Sequence, residues 1–320
     1  MKLIDIVLPC FNEEETLPRF INEFLKLRER LGEEYLFSLI IVDNGSSDKT
    51  FEIAKKFVVS DPGSKVIRLS RNFGKEASLT AGLMRSTGQA CIPMDADLQD
   101  PMIAVDKLVG KWSESDANVV LGVRSYHSNH SQYRIFLSKF YTKIFNYLSD
   151  VPLERSVGEF RLMDRKVIQA FRELDENQRF VRGIFAWLGF KTESIIFERN
   201  DRLDGEGKFN SFHLIKLGLI GITAFSIKPL RIATYLGFFL AMSSILTGGV
   251  VFILAGQHKI IVPGYASLII AILVLGGAQL LCIGILGEYL GKTLLESKNR
   301  PIYVISDEVD GAGNSSGFKL

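Results

Sequence analysis

Two carboxylates stand two residues apart where an apolar run ends, in the order Asp95-Ala96-Asp97. Strand-like alternation would turn both side chains to the same side, and adjacent carboxylates repel each other unless a cation lies beside them. Oxygen ligands, with the side-chain amide of Gln99 close by, suit a hard ion such as Mg²⁺ or Mn²⁺. One task for such an ion is to neutralise a departing diphosphate. Asp-x-Asp alone occurs by chance in many surface loops, so the prediction of a cation site at Asp95, Asp97 and Gln99 depends on its setting.

Polar segments follow three other apolar runs in the same way, over residues 9–14, 43–48 and 70–75. These segments are rich in carboxylates and amides, which is the character of a pocket for a sugar, a base and a metal. The first run is not followed by G-x-G-x-x-G, which disfavours a dinucleotide-binding fold.

The elements that must position these segments alternate between strand and helix through the first 125 residues. Strands are predicted over residues 4–8, 39–42, 65–69, 91–94 and 119–123, and helices over 14–31, 48–57, 75–87 and 101–112. Such alternation predicts an α/β fold with a doubly wound, mainly parallel sheet. Ligands of such sheets bind at the carboxyl ends of the strands, where the four polar segments would meet.

Two long runs near the C-terminus, residues 232–257 and 260–287, contain no Asp, Glu, Lys or Arg. As helices they would measure about 39 and 42 Å, more than the ~30 Å hydrocarbon core of a bilayer. They predict a transmembrane hairpin with spans at 230–257 and 264–290. Basic residues flank the pair, and only Lys259 lies in the short loop, so both termini are expected in the cytoplasm. Glycines in the spans allow close helix packing and a homo-oligomer without demonstrating one.

Two further segments are predicted to lie at the membrane surface. Residues 133–148 carry an apolar helical face beside Lys139 and Lys143, which is also compatible with a helix that faces a protein core. Residues 209–229 are mostly apolar and lead directly into the first span. The expected organisation is a cytosolic domain over 1–208, an interfacial helix over 209–229, the hairpin, and a cytosolic C-terminal tail over 291–320.

Composition excludes several classes of protein. The chain has 320 residues and is 47 % hydrophobic with 23 % charged residues, which excludes disordered, collagenous and disulfide-stapled small proteins. The formal net charge of +2 offers no bulk electrostatic attraction for nucleic acid, so no nucleic-acid partner is expected.

The motifs together resemble the nucleotide-sugar domain of glycosyltransferase family 2, which has the GT-A fold. They are P-x-x-N-E at 9–13, D-N-G-S-x-D at 43–48, N-x-G-K at 72–75 and D-A-D-L-Q-D-P at 95–101. Further matches lie at 158–165, 182–183, 187–189, 228–231, 287–291 and 300–301. The full set resembles the polyprenyl-phosphate glycosyltransferases, specifically the bactoprenol glucosyltransferases, which are related to dolichol-phosphate mannose synthases. The resemblance covers residues 4–303.

This resemblance implies an inverting transfer of glucose from UDP-glucose to undecaprenyl phosphate, with Mg²⁺ or Mn²⁺. It places the enzyme in the bacterial inner membrane with its catalytic domain in the cytoplasm. The lipid-linked sugar would serve O-antigen or other cell-envelope glycan modification, after a flippase and a periplasmic glycosyltransferase act on it.

Residue roles are implied position by position. Residues matching Pro9 and Glu13 line the uracil pocket, and the residue matching Asp43 recognises the nucleoside. Asp95, Asp97 and Gln99 match the metal and diphosphate positions. The remaining residues implied in nucleotide-sugar binding are Asn12, Lys75, Arg199, Arg202 and Lys208, and the acceptor-phosphate arginines are Arg124 and Arg134.

Glu159 departs from the family pattern, since relatives usually carry Asp at this position and assign it catalytic duty. The longer side chain displaces the carboxylate by one methylene, and small displacements affect rate. A phosphate monoester has a second pKa of about 6, so it needs little help in losing a proton at pH 7. Glu159 is therefore expected in the site, either as a base or as a group that orients the acceptor; the structural alternative is an ion pair with Arg161.

Several other functions are alternatives to the transfer of glucose to undecaprenyl phosphate. A processive polysaccharide synthase normally carries Gln-x-x-Arg-Trp and more spans, and residues 178–182 do not fit that motif. A membrane scaffold or flippase subunit would not require the acidic loops. Transfer of mannose, an N-acetylhexosamine or aminoarabinose is the nearest rival, because donor identity depends on pocket shape.

Overall fold

The computed structural model describes residues 1–125, 147, 157–177, 179–198, 226–256, 264–311 and 315–319. Within these ranges the strands are β1 Lys2–Cys10, β2 Tyr35–Asp43, β3 Lys65–Leu69, β4 Ala90–Pro93, β5 Val119–Arg124, β6 Val157–Asp164, β7 Thr192–Phe197, β8 Ile305–Asp310 and β9 Ser315–Lys319. The helices are α1 Leu17–Leu31, α2 Thr50–Ser60, α3 Lys75–Arg85, α4 Ile103–Glu114, α5 Arg165–Arg172, α6 Val181–Trp187, α7 Lys228–Gly256 and α8 Tyr265–Ser297.

All the strands join one sheet in the order β7-β5-β6-β4-β1-β2-β3-β8-β9. The central strands β4, β1, β2 and β3 are parallel, whereas β6, inserted between β4 and β5, is antiparallel to both. The predicted α/β fold with a mainly parallel sheet is confirmed. In the register of β1 and β2, Cys10 lies opposite Asp43, so the polar segments after these strands begin side by side.

The core lies on both faces of the sheet because the inner strands are apolar at successive positions. Ile4, Ile6 and Leu8 of β1 pack with α1, α2 and α4, while Val7 packs with α3, α5 and α6 on the other face. Helix α1 shows why its sequence forms such an element, since its buried residues recur at intervals of three and four: Leu17, Phe20, Ile21, Phe24 and Leu27.

Asp5 is a fully buried carboxylate in the middle of β1 that fixes the turn between α3 and β4. It accepts hydrogen bonds from Ser86 Oγ at 2.8 Å, Thr87 N at 2.6 Å and Gly88 N at 2.7 Å. Buried charge is tolerated only with such partners. The bonds set where β4 begins, and therefore where the carboxylates that follow β4 emerge.

The C-terminal segment, expected as a cytosolic tail over 291–320, contains helix and strand in its described residues. Helix α8 continues to Ser297, and the chain then returns to the sheet, where β8 pairs antiparallel with β3 and β9 pairs with β8. Glu308 of β8 pairs with Arg85 at 3.2 Å. The sequence of β8, Ile-Ser-Asp-Glu-Val-Asp, has too few apolar residues to indicate a strand, and pairing with β3 supplies what local propensity lacks.

Helices α7 and α8 are long and apolar enough to cross a membrane, with candidate spans at Lys228–Val250 and Val274–Ser297. Their exposed apolar side chains support membrane association. Helix α8 has 33 residues and measures about 50 Å, well beyond a ~30 Å hydrocarbon core. Its last turns contact the rest of the chain, because Asn177 N donates to Glu296 Oε2 at 3.0 Å and Tyr289 Oη donates to Ser226 O at 2.6 Å.

The predicted interfacial segments fall almost wholly outside the described residues, as do residues 257–263 between the helices. Tyr147 is described, and its carbonyl oxygen accepts a hydrogen bond from Lys228 Nζ at 3.1 Å. The end of the segment 133–148 is thereby close to the start of α7.

Gly82 of α3 provides a test of how closely this helix packs on the sheet. A Cβ at Gly82 would lie 2.3 Å from Val7 Cγ1, so Gly82→Ala should lower the free energy of unfolding by about 1–3 kcal/mol. At Gly110 of α4 nothing lies within 4 Å, and Gly110→Ala should stabilise the helix by up to about 1 kcal/mol. Thermal unfolding of both variants in detergent measures the difference. Equal midpoints for the two would contradict the close packing of α3 on β1.

Candidate active site

The segment after β1 is held against the segment after β2 by side-chain to backbone hydrogen bonds. Asn12 has a positive φ of 56°, its backbone N donates to Ser46 Oγ at 2.9 Å, and its Oδ1 accepts from Ser47 N at 2.9 Å. Glu13 N donates to Thr50 Oγ1 at 2.8 Å. Asn12, predicted to bind the nucleotide sugar, therefore joins two loops through both its backbone and its side chain.

Asp43 ends β2 as a fully buried carboxylate. Its Oδ1 accepts from Ser46 N at 3.0 Å and its Oδ2 lies 3.2 Å from Arg68 Nε. Burial raises the pKa of Asp43, while the hydrogen bonds from Ser46 and the charge of Arg68 oppose that rise. Glu13 is similar: burial raises its pKa and the hydrogen bond from Thr16 lowers it, with the charges of Asp97 and Asp95 adding to the rise.

The segment after β3 packs against the loop after β2 at Gly45. This glycine has a φ of 71°, and a Cβ there would lie 2.6 Å from the carbonyl carbon of Arg71, so a larger residue does not fit. Asn44 Oδ1 accepts from Phe73 N at 2.9 Å, and Asn44 Nδ2 donates to Asn72 Oδ1 at 3.0 Å. These bonds fix the backbone immediately before Lys75, the first residue of α3.

The carboxylate pair lies just beyond β4. Gln99 N donates to Asp97 Oδ1 at 3.1 Å, and the positive φ of 52° at Leu98 turns the chain between them. The side chain of Gln99 is buried, and its Oε1 has no hydrogen-bond partner among the residues that the structure describes.

Lys75 joins a carboxylate that follows β4 to a carboxylate on β6. Its Nζ lies 2.6 Å from Asp95 Oδ1 and 2.5 Å from Glu159 Oε2 on β6. Burial lowers the pKa of Lys75, but the charges of Asp95 and Glu159 outweigh that effect and hold the pKa above its usual range. We call this contact the Lys75 bridge. Arg161, two residues further along β6, donates from Nη2 to Gly158 O at 2.9 Å.

Arg124 ends β5 next to this group. Its Nη2 lies 3.7 Å from Asp100 Oδ2, and a Cβ at Gly158 would lie 2.6 Å from the same nitrogen. Gly158 thus leaves the space that the guanidinium occupies. Four further predicted binding residues lie outside the described ranges: Arg134, Arg199, Arg202 and Lys208.

A cavity of about 440 Å³ opens between these segments, within the usual size of small-molecule sites. Five of the predicted site residues line it: Pro9, Glu13, Lys75, Asp95 and Asp97. Phe11, Asn44, Asn72 and Gly74 complete much of its wall. A second pocket of about 10 Å³ shares Pro9 and Asp95 and reaches Glu159. Asn12, Asp43, Gln99 and Arg124 are not among the residues that line either pocket.

The side-chain oxygens near the cavity suit a divalent cation whose remaining ligands come from water and a bound substrate. Across the described ranges, no group of three or more His, Cys, Asp or Glu side chains could enclose a metal ion. Mg²⁺, however, is commonly held by one or two carboxylates together with water and substrate phosphates. Asp95 and Asp97 supply such a pair, and the buried Gln99 Oε1 offers a further oxygen.

Glu76, beside Lys75 on α3, is a functional candidate that the sequence analysis missed. Its Oε2 accepts from Val181 N at 3.0 Å, which ties α3 to the start of α6. Burial, followed by the charge of Glu159, raises the pKa of Glu76 to about 7. A glutamate in the first turn of a helix ordinarily indicates a favourable helix-dipole contact, so its sequence position carried no other signal.

Comparison with known proteins gives a consistent set of similarities. Residues 5–172 match the family described as Glycosyl transferase family 2, and residues 228–293 match the GtrB C-terminal hairpin. The bactoprenol glucosyl transferase of Shigella phage SfV is 41 % identical over 308 residues, covering 95 % of this chain and 98 % of the relative. The prophage bactoprenol glucosyl transferase homolog of Escherichia coli K12 is 40 % identical, covering 94 % and 98 %.

Solved structures are less similar. A glucosyl-3-phosphoglycerate synthase from Mycobacterium tuberculosis, crystallised with Mn²⁺, UDP and phosphoglyceric acid, is 19 % identical with a TM-score of 0.45. It covers 74 % of this chain and 78 % of the other. That likeness is too weak to transfer its ligands to this chain.

The raised pKa of Glu76 predicts how the free energy of unfolding depends on pH. Because its pKa is raised to about 7 in the folded chain, folding takes up a proton on this group at pH values between its ordinary pKa of 4.5 and about 7. Its contribution to the free energy of unfolding therefore falls as pH rises from about 4.5 to about 7 and stays low above that. Glu76→Gln, which keeps an acceptor for Val181 N, should be more stable than the parent at about pH 8 and similar to it below about pH 5.

Thermal unfolding at both pH values measures this difference. The matched control is Glu52→Gln, an exposed glutamate in the first turn of α2, which should behave alike at the two pH values. A Glu76→Gln variant that gained no stability at the higher pH would show that Glu76 is charged without penalty in the fold.

Proposed function

We propose, because the chain belongs to glycosyltransferase family 2, that it transfers glucose from UDP-glucose to undecaprenyl phosphate with inversion at the anomeric carbon. The observation that carries the proposal is a single cavity lined by Glu13, Lys75, Asp95 and Asp97, in a chain that also carries an apolar helical hairpin. The named bactoprenol glucosyl transferases, similar over nearly the whole chain, supply the choice of donor and acceptor.

The nucleoside would bind at the ends of β1 and β2. Pro9 and Glu13 line the cavity there, and Asp43 Oδ1 is held by Ser46 N. The loops are fixed by hydrogen bonds through Asn12 and Asn44, so the pocket is formed before a ligand arrives. A rigid pocket lowers the entropy cost of binding.

The diphosphate would lie over Asp95 and Asp97. These carboxylates, with Gln99, are the proposed holders of Mg²⁺ or Mn²⁺. When bound, the cation supplies positive charge that neutralises UDP as it leaves. Lys75, on the same wall of the cavity, is a cation within reach of a phosphate oxygen.

The acceptor phosphate would approach from the side of β5 and β6, where Arg124 and Glu159 lie. A phosphate oxygen attacks the anomeric carbon, the bond from that carbon to the UDP oxygen breaks, and UDP takes the electron pair. The nucleophile is largely dianionic at pH 7, so no proton has to be removed from it. Glu159 accordingly orients the acceptor, and Arg124 contributes a positive charge for its phosphate.

The hairpin would hold this site at the membrane surface. A prenyl phosphate keeps its headgroup at the interface, and tethering the catalyst there raises the effective concentration of acceptor. The distribution of basic residues supports two spans in the bacterial inner membrane with both termini in the cytoplasm. The product would pass to a flippase and a periplasmic glycosyltransferase, and the glycines of the spans allow a homo-oligomer.

A transfer assay tests the proposal. Purified protein with undecaprenyl phosphate, Mg²⁺ or Mn²⁺, and a panel of labelled nucleotide sugars should convert UDP-glucose into a β-linked lipid-phosphate sugar. Asp97→Asn should lower the rate by about 10²-fold or more, since it removes a charged ligand from the diphosphate site. The matched control is Asp116→Asn, whose side chain is 96 % exposed. Equal activity of both variants, or labelled lipid only from another sugar, would contradict the proposal.

Variants of Glu159 distinguish a role in orienting the acceptor from a role as a general base. If it orients the acceptor, Glu159→Gln should lower kcat by about 10²-fold and leave the shape of the pH–rate profile unchanged. Glu159→Asp should retain more activity than Glu159→Gln, because it keeps the charge. Loss of the acidic limb of the profile in Glu159→Gln would instead identify a base.

A further inference from the structure

The Lys75 bridge places an ammonium group where the carboxylates would otherwise meet a metal ion. Nζ of Lys75 lies 2.6 Å from Asp95, which follows β4, and 2.5 Å from Glu159 on β6. The Lys75 side chain is 46 % exposed and lines the main cavity, so a ligand can reach it. The bridge therefore lies at the surface of the site and holds one of its proposed metal ligands.

We infer that Lys75 is an internal counter-ion that competes with the donor's divalent cation for Asp95, which makes metal and nucleotide bind cooperatively. The inference rests on the proposed function, and it concerns how that site is loaded. It assigns to Lys75 a role beyond contact with the donor: the bridge opens more readily when the ammonium gains another partner.

The charges around Lys75 oppose a metal ion that binds alone. Asp95, Asp97 and Glu159 are three acidic side chains at the ends of neighbouring strands, and the ammonium of Lys75 contacts two of them. A divalent cation beside Asp95 would be repelled by an ammonium on the same carboxylate, since like charges at such distances oppose each other. A metal ion that arrives alone must therefore displace Lys75 from Asp95.

The nucleotide changes this balance because it brings phosphate oxygens. A lysine ammonium is a flexible point charge that binds phosphate well. The backbone before Lys75 is fixed by Asn44 and Asn72, so the change is confined to the lysine side chain. Phosphate can then accept the ammonium while the metal ion takes Asp95, and each ligand strengthens the binding of the other.

A consequence for the acceptor follows from the same contact. Glu159 is paired with Lys75 at 2.5 Å, and movement of Lys75 onto phosphate would release the carboxylate. The acceptor would thus meet an available Glu159 only after the donor has bound. This order would protect the site from binding the lipid phosphate unproductively.

Binding of Mn²⁺ tests the inference without any transfer reaction. The dissociation constant of Mn²⁺ is measured by titration calorimetry or electron paramagnetic resonance, with and without UDP, on the full chain in detergent. In the parent protein UDP should tighten Mn²⁺ binding by at least about tenfold, within the usual range of coupling between sites. Lys75→Met should bind Mn²⁺ alone about tenfold more tightly than the parent, and UDP should add much less.

The control variant is Lys26→Met, which removes an exposed lysine that pairs with Glu23 at 2.7 Å on α1. It should leave both constants unchanged. Lys75→Gln, which is neutral but polar, repeats the test in case the methionine variant does not fold, and thermal unfolding checks both.

The outcomes separate this inference from the proposed function. If folded Lys75→Met or Lys75→Gln binds Mn²⁺ alone no more tightly than the parent, Lys75 does not compete for Asp95 and the inference is wrong. If the parent binds no Mn²⁺ even with UDP, the metal site of the proposed function is itself wrong. Tighter binding of Mn²⁺ alone, with the coupling to UDP reduced, supports the inference.

Discussion

Repulsion between carboxylates is the main electrostatic constraint at the edge of the sheet where β1, β2 and β4 terminate. Parallel strands bring their carboxyl ends to one edge, and here those ends carry Glu13, Asp43, Asp95 and Asp97. Arg68 balances the buried Asp43, and Lys75 balances Asp95 together with Glu159. An edge with this excess of negative charge favours a ligand that arrives with a cation, which is why a metal-bound nucleoside diphosphate suits the cavity better than a free acid.

The loops around the cavity are held in place by hydrogen bonds of amide side chains, since these loops contain no regular secondary structure. Asn12 and Asn44 each bond to a backbone group of a neighbouring segment. Asn72 Oδ1 accepts from Gly74 N in its own segment and from Asn44 Nδ2, and Gly45 with its positive φ lets two loops touch. The shape of the nucleotide pocket is thus set by hydrogen bonds that no ligand supplies.

The part of the chain that contains the sheet is joined to the two apolar helices by several contacts. Glu296 of α8 accepts a hydrogen bond from the loop before α6, Tyr289 bonds to the residue pair before α7, and β8 joins the sheet beside β3. The strands that precede and follow the apolar helices in the chain, β7 and β8, lie toward opposite edges of the sheet. These contacts determine the height of the cavity relative to the apolar helices, which matters for a substrate whose phosphate stays at a membrane surface.

Local sequence determined the elements: the periodicity of apolar residues predicted the central strands and helices, and the uncharged runs predicted the long helices. The polar segments contained five residues that line the cavity, namely Pro9, Glu13, Lys75, Asp95 and Asp97. The tertiary structure determined which distant side chains and strands contact one another. That Lys75 bridges Asp95 and Glu159, that Glu76 ties α3 to α6, and that the C-terminal residues complete the sheet are contacts between distant parts of the chain. Periodicity and spacing record only what neighbouring residues share, whereas ion pairs and strand pairing depend on which segments the fold brings within a few ångströms.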